Sequence, residues 1–90
     1  MFLATVRGTV VSTSKDERLV GFKLLLVQPI DADEKPISRP EIAVDTVGAG
    51  IGATVIVTKG SSARFAASRA DSPIDSTIVG IVDTVELGGA

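Results

Sequence analysis

The run Leu24-Leu25-Leu26-Val27 sets the strongest limit on what this chain can become. A strand turns its side chains alternately to two faces, so four consecutive aliphatic residues leave neither face polar and predict burial on both. A chain of 90 residues has room for one small core and leaves a large share of its surface in contact with water. The aliphatic excess therefore predicts a single domain, residues 1–90, that buries part of its apolar surface against other subunits.

Composition points the same way. Hydrophobic residues make up 44% of the chain while aromatics make up 3%, so the apolar content is Val, Ile, Leu and Ala, as in a β-rich fold. There is no Cys, His, Trp, Tyr or Asn. That removes disulfides, thiolate and Ser-His nucleophiles and His- or Cys-ligated metals, so no cofactor is predicted and an enzyme is not expected. No run approaches the roughly 20 apolar residues of a membrane span, which predicts no membrane partner. The start, Met1 to Arg7, lacks the features of a signal peptide, and the protein is expected to stay inside the cell. The net charge is −2, with the basic residues scattered from Arg7 to Arg69, so nucleic acid is not an expected partner.

Short Val/Ile/Thr-rich runs between turn residues predict five strands. Phe2 to Thr13 reads as the first, with Phe2, Ala4, Val6 and Val10 on one face and a bend or bulge at Gly8. Phe22 to Ile30 is the second, followed by an exposed hairpin loop from Asp31 to Pro40. Glu41 to Val47 and Thr54 to Lys59 follow, joined by Gly48-Ala49-Gly50-Ile51-Gly52. A short helix is expected over Ser61 to Arg69, capped by Ser61 or Ser62. After a turn at Asp71 to Ser76, the last strand is read as Thr77 to Glu86, with Val79, Ile81 and Val85 facing one way and Ile78 and Val82 the other. The fold class is all-β: a small five-stranded barrel with one short helix before the last strand, in the element order of the oligonucleotide/oligosaccharide-binding barrel.

Several local patterns have plainer readings than chemistry. The Gly48 to Gly52 segment has the wrong spacing for a dinucleotide fingerprint and leads into a strand, so it reads as a turn. Lys59-Gly60-Ser61 has phosphate-loop residues in the wrong order. Asp31, Asp33 and Glu34 lack the downstream Gly and Glu of a calcium loop. Asp45 and Asp83 sit in apolar strands, either facing solvent or pairing with Arg64 or Arg69; as a hydrolytic pair they lack polar cleft companions. Phe2, Phe22 and Phe65 make no stacking platform, which disfavours the alternative of a small barrel binding single-stranded nucleic acid or a small ligand.

The ordered motifs Val6-Arg7-Gly8-Thr9-Val10-Val11-Ser12-Thr13, Lys23-Leu24-Leu25-Leu26-Val27-Gln28-Pro29, Val44-Asp45-Thr46-Val47-Gly48-Ala49-Gly50-Ile51-Gly52, Gly60-Ser61-Ser62-Ala63-Arg64, Pro73-Ile74-Asp75 and Ile78-Val79-Gly80-Ile81-Val82-Asp83 resemble the EutN/CcmL vertex family. That family comprises pentameric shell proteins of ethanolamine-utilisation organelles, carboxysomes and related bacterial microcompartments. The resemblance implies a homopentamer at the five-fold vertices of a cytoplasmic shell tiled by hexameric proteins, which it curves and closes. It implies a subunit boundary, with a central pore nearby, at Gly48, Gly50, Ile51 and Gly52, and at Ser61, Ser62 and Arg64; Arg64 is expected to bond backbone carbonyls or an acid such as Asp45 across or beside that boundary. Two departures stand out. Ala53 occupies a place often acidic in the family, and the sequence given ends at Gly88-Gly89-Ala90, where many relatives run on, so contacts made by either feature are not carried over.

Overall fold

The computed structural model describes residues 1–89; Ala90, the last residue of the expected 1–90 domain, lies outside the described residues. Five strands, β1 (Phe2–Val10), β2 (Lys23–Ile30), β3 (Glu41–Asp45), β4 (Thr54–Lys59) and β5 (Ser76–Ile81), close a barrel in the order β1-β2-β3-β5-β4. One helix, α1 (Gly60–Ala66), lies between β4 and β5. Neighbouring strands are antiparallel except β3 and β5, whose parallel pairing is confined to Val44↔Thr77 and Asp45↔Ile78. The all-β barrel expected from the strand pattern is the fold observed.

β1 closes the barrel because it pairs on both edges, with β2 along most of its length and with β4 over Phe2–Thr5. The bulge foreseen at Gly8 is present: Val6 pairs Val27 and Gly8 pairs Leu26, leaving Arg7 as the extra residue. Such a bulge bends and twists the strand, which lets one long strand serve two parts of a small barrel. A second bulge, not foreseen, sits in β5, where Val57 pairs Ile78 and Ile56 pairs Gly80, so Val79 is unopposed. It breaks the strict alternation read from Val79, Ile81 and Val85 against Ile78 and Val82.

Element ends are set by lost partners. β1 stops at Val10 instead of Thr13, because Leu24 is its last partner and the chain before β2 is occupied by a 3-10 turn, Glu17–Leu19, and by Gly21 at φ +92°. β5 stops at Ile81 instead of Glu86, since β4 offers no partner beyond Val55 and only the Val82 N–H continues, to Thr54 O at 2.8 Å. The loop from Asp31 to Pro40 is exposed as expected, with Asp31 Oδ1 accepting the N–H groups of Asp33 and Lys35.

The barrel interior is filled by Ala4, Val6, Leu25, Val27, Ala43, Ala49, Val55, Val57 and Ile78, aliphatic side chains small enough for a five-stranded barrel. Fully burying one side chain such as Leu25 contributes about 1.5–3 kcal/mol. A second cluster lies outside the barrel, where Val44, Ala63, Ala67 and Ile74 meet Leu19, Phe22 and Leu24. The leucine run is thus divided. Leu25 and Val27 point inward and are fully buried, whereas Leu24 and Leu26 point outward and are only half-buried. Burial on both faces, expected from the run, is complete in this chain on one face alone.

α1 corrects the expected span Ser61–Arg69 and its cap. The helix begins at Gly60, at φ +64°, whose N–H is taken by Asp75 O at 2.9 Å, and the N-cap Lys59 makes no side-chain capping bond. Ser61 and Ser62 therefore lie inside the first turn, exposed. The helix ends early because Ser68 turns left-handed at φ +56°. Its N–H then reaches Phe65 O at 3.0 Å and that of Arg69 reaches Arg64 O at 2.9 Å, a Schellman pattern that closes the last turn. Thr77, fully buried, donates from Oγ1 to Ala63 O at 2.8 Å and pins the helix to β5.

Candidate functional site

The glycine loop after β3 is built around one carboxylate. Asp45 Oδ1 accepts the N–H groups of Val47 at 3.0 Å and Gly48 at 3.2 Å, while Oδ2 accepts that of Ala49 at 2.9 Å. A short acidic side chain gathering the following N–H groups competes with strand extension, which is why β3 stops at Asp45 and not at Val47. Lys23, which pairs with Asp45 across β2 and β3, donates from Nζ to Ala49 O at 3.0 Å. Thr46 Oγ1 donates to Ile78 O at 2.7 Å. The Gly52 N–H reaches Val6 O at 2.8 Å, and the Val6 N–H reaches Ala53 O at 2.9 Å.

The loop is thus fastened at both ends with its middle residue turned inward. Ala49 is fully buried in the barrel core, whereas Ile51 stands 70% exposed at the tip. Gly48 at φ +81° and Gly52 at φ +90° hold conformations that favour glycine. Gly50 is different: its φ is not positive, and an added Cβ would meet nothing within 4 Å. Nothing within the chain requires a glycine there.

The other predicted residues lie apart from the loop. Arg64 Nη1 donates to Ile74 O of its own chain at 3.2 Å, so of its two expected kinds of partner the structure shows the backbone carbonyl. Within the chain Asp45 is not its partner: both oxygens of that acid accept N–H groups of its own loop. Ser61 and Ser62 share α1 with Arg64 and make no capping bond. Asp45 and Asp83 do not form a site together: Asp83 lines a separate cleft of about 260 Å³ with Asp31, Asp33 and Glu34, and Asp45 is not part of its wall. Among the described residues no cluster of metal-ligating side chains occurs.

Two features escaped the sequence reading. Lys59 Nζ holds Glu41 at 2.6 Å and Asp75 at 3.2 Å, and Ser76 donates to the same Glu41 oxygen at 2.6 Å. Burial pushes the Glu41 carboxyl up, but the hydrogen bonds from Lys59 and Ser76 outweigh it and leave the pKa below its ordinary value. Lys59 is raised in turn, first by its bond to Glu41. The second is an open apolar groove of about 410 Å³ on the outer face of β1, β2 and β3, walled on the far side by Pro73–Ser76. The apolar residues on both faces of β2 were its signal in the sequence.

Residues 1–83 match the family described as ethanolamine utilisation protein EutN/carboxysome. The chain belongs to the EutN/CcmL family. It is 52% identical over 87 residues to the carboxysome shell vertex protein CcmL of Synechocystis sp., covering 97% of this chain and 87% of that one. It is 54% identical over 86 residues to the bacterial microcompartment shell vertex protein GrpN of Rhodospirillum rubrum, covering 96% and 97%. The solved structure of GrpN, described as a pentameric microcompartment shell protein, superposes with a TM-score of 0.88 at 52% identity, covering 98% of this chain and 100% of that one. The fold of this chain is therefore shared with that structure over nearly the whole of both chains.

Proposed function

We propose that this chain is a structural shell subunit that assembles into a homopentamer and caps the five-fold vertices of a bacterial microcompartment in the cytoplasm. The observation that carries this reading is the superposition on a pentameric shell protein over that protein's whole length, at 52% identity. A flat layer of hexameric shell proteins cannot close on itself. A five-fold insert supplies the curvature and seals the corner, and the partners of the ring are then its own copies and those hexamers. The work is geometric and calls for no catalytic centre.

A five-membered ring uses a heterologous contact, in which one surface of each subunit meets a different surface of the next. We place Gly48, Gly50, Ile51 and Gly52, held in shape by Asp45, at the subunit boundary and near the central pore, with Ser61, Ser62 and Arg64 beside it. Native mass spectrometry of the purified chain tests the ring. A mass of five chains is expected, and a monomer across micromolar concentrations would overturn it.

A further inference from the structure

We infer that the barrel opens first along the seam between β3 and β5, and that Glu41 is the acid-sensitive latch that holds this seam shut. The inference concerns the fold of the single chain and stands whether or not the ring forms.

The seam is weak because its two strands barely overlap. Their parallel register sets Val44 beside Thr77 and Asp45 beside Ile78. β3 ends at Asp45, whereas β5 runs on to Ile81 along β4 alone. In the other direction β3 reaches back to Glu41, level with residues that precede β5. β1, for comparison, is paired from Leu3 to Val10 with β2 and from Phe2 to Thr5 with β4. Along the outer side of the seam runs the open groove, between Ile42 and Val44 on β3 and the segment Pro73–Ser76, and Ile42 stands 52% exposed there. A short ladder beside open solvent is where local opening costs least.

Side chains tie the seam at both ends. At one end Glu41 Oε1 accepts from Ser76 Oγ and from Lys59 Nζ, each at 2.6 Å, and Lys59 also reaches Asp75 Oδ2 at 3.2 Å. β3, β4 and the start of β5 therefore meet on one carboxylate. At the other end Thr46 Oγ1 donates to Ile78 O at 2.7 Å. The charged groups that face Glu41 are Lys59 from β4, which favours its ionised form, and Asp75 from the turn before β5, which opposes it. Its partner on β2 is the apolar Val27. Asp45, four residues along β3, is bonded within the glycine loop. Protonation of Glu41 abolishes the ion pair, whereas the Thr46 hydroxyl does not titrate. Acid thus loosens one end of the seam and leaves the other as a hinge.

The test uses the absence of Cys from the chain. Ala43→Cys places a thiol in the core beside the seam and Ala4→Cys places one in β1, both at buried positions. Labelling by a dipyridyl disulfide, relative to the same chain unfolded in urea at the same pH, reads how often each site is uncovered. At pH 7 Ala43→Cys is expected to label faster than Ala4→Cys. Adding Glu41→Gln should speed labelling at position 43 about two- to fivefold at pH 7, and the rise on going to pH 3 should be smaller by the same factor. Thr46→Val should speed it equally at both pH values. Equal rates at positions 43 and 4, or no effect of Thr46→Val, overturn the seam. No acceleration by Glu41→Gln, or an undiminished acid response in its presence, overturns the latch. If Ala43→Cys fails to fold, amide hydrogen exchange at Val44, Asp45, Thr77 and Ile78, set against Ala4 to Val6, makes the same comparison in the unaltered chain and in Glu41→Gln.

Discussion

Asp45 draws Ala49 into the barrel: its Oδ2 accepts the Ala49 N–H at 2.9 Å, and the Ala49 side chain is fully buried among the core residues. The same carboxylate therefore shapes the loop surface and plugs the core. Asp45→Ala is expected to destabilise the subunit by about 1–3 kcal/mol, since three N–H groups lose a charged acceptor. Asp45→Asn should lose less, because the amide oxygen still accepts. Urea unfolding of the three proteins under conditions where they are monomeric checks the order.

The glycines of the loop should separate folding from assembly. Gly52→Ala forces a Cβ onto a residue at φ +90° and is expected to cost about 1 kcal/mol or more in subunit stability. Gly50→Leu meets no atom of its own chain within reach of its Cβ, so subunit stability should change little while the proposed ring is lost. Denaturant midpoints read the first effect and native mass spectrometry the second; an intact ring from Gly50→Leu would refute crowding at this position.

Arg64 ties α1 to the Ile74 carbonyl at 3.2 Å. Arg64→Ala is expected to lower stability by about 1.5–3 kcal/mol, the range for hydrogen bonds to charged groups, with the low end favoured by partial exposure. A variant with both the melting temperature and the ring mass unchanged would remove any role for Arg64 at the helix or the boundary.

Ser68 closes the helix in a left-handed conformation at φ +56°, with the Schellman bonds formed. Glycine takes that conformation without the Cβ penalty. Ser68→Gly is therefore expected to raise stability by about 0.5–1 kcal/mol, seen as a higher denaturant midpoint with an unchanged slope.

Glu41 links stability to acid. Its folded pKa lies below the ordinary value of 4.5, so its contribution is fully present above that value and is lost as pH falls through the lower folded pKa. The Lys59 pKa is raised, so its contribution is present below the ordinary 10.5 and is lost as pH rises beyond that. The pair is partly exposed, and a contribution of about 0.5–1 kcal/mol is expected. Glu41→Gln should unfold more readily than the unaltered chain at pH 7, and the difference should shrink at pH 3. An equal difference at both values would assign the acid sensitivity to another group.

Much of the barrel was legible in the sequence, because strands follow from local alternation, turn residues and β-branched content, and the bulge at Gly8 from a glycine inside a strand. Element ends were less legible. Thr13 and Val47 have the chemistry of strand residues, but a strand extends only as far as a partner does, and partners are supplied by distant segments. The same holds for the cap of α1, where Asp75 takes the Gly60 N–H that Ser61 or Ser62 had been expected to leave to a side chain. Nor does the local pattern around Asp45 say whether the acid pairs with Arg64 or folds back on its own loop. That choice depends on which donors the closed barrel brings within hydrogen-bonding distance.

By itself, then, the sequence determined the class of fold, the position of the glycine loop, the family and the presence of apolar residues on both faces of β2. Only the tertiary structure decided that Leu25 and Val27 face the interior, while Leu24 joins Val10, Val44 and Ile42 on the wall of an outer groove. The physical reason is that periodicity states how many faces are apolar. Register and closure decide which face the chain can cover and which it leaves exposed.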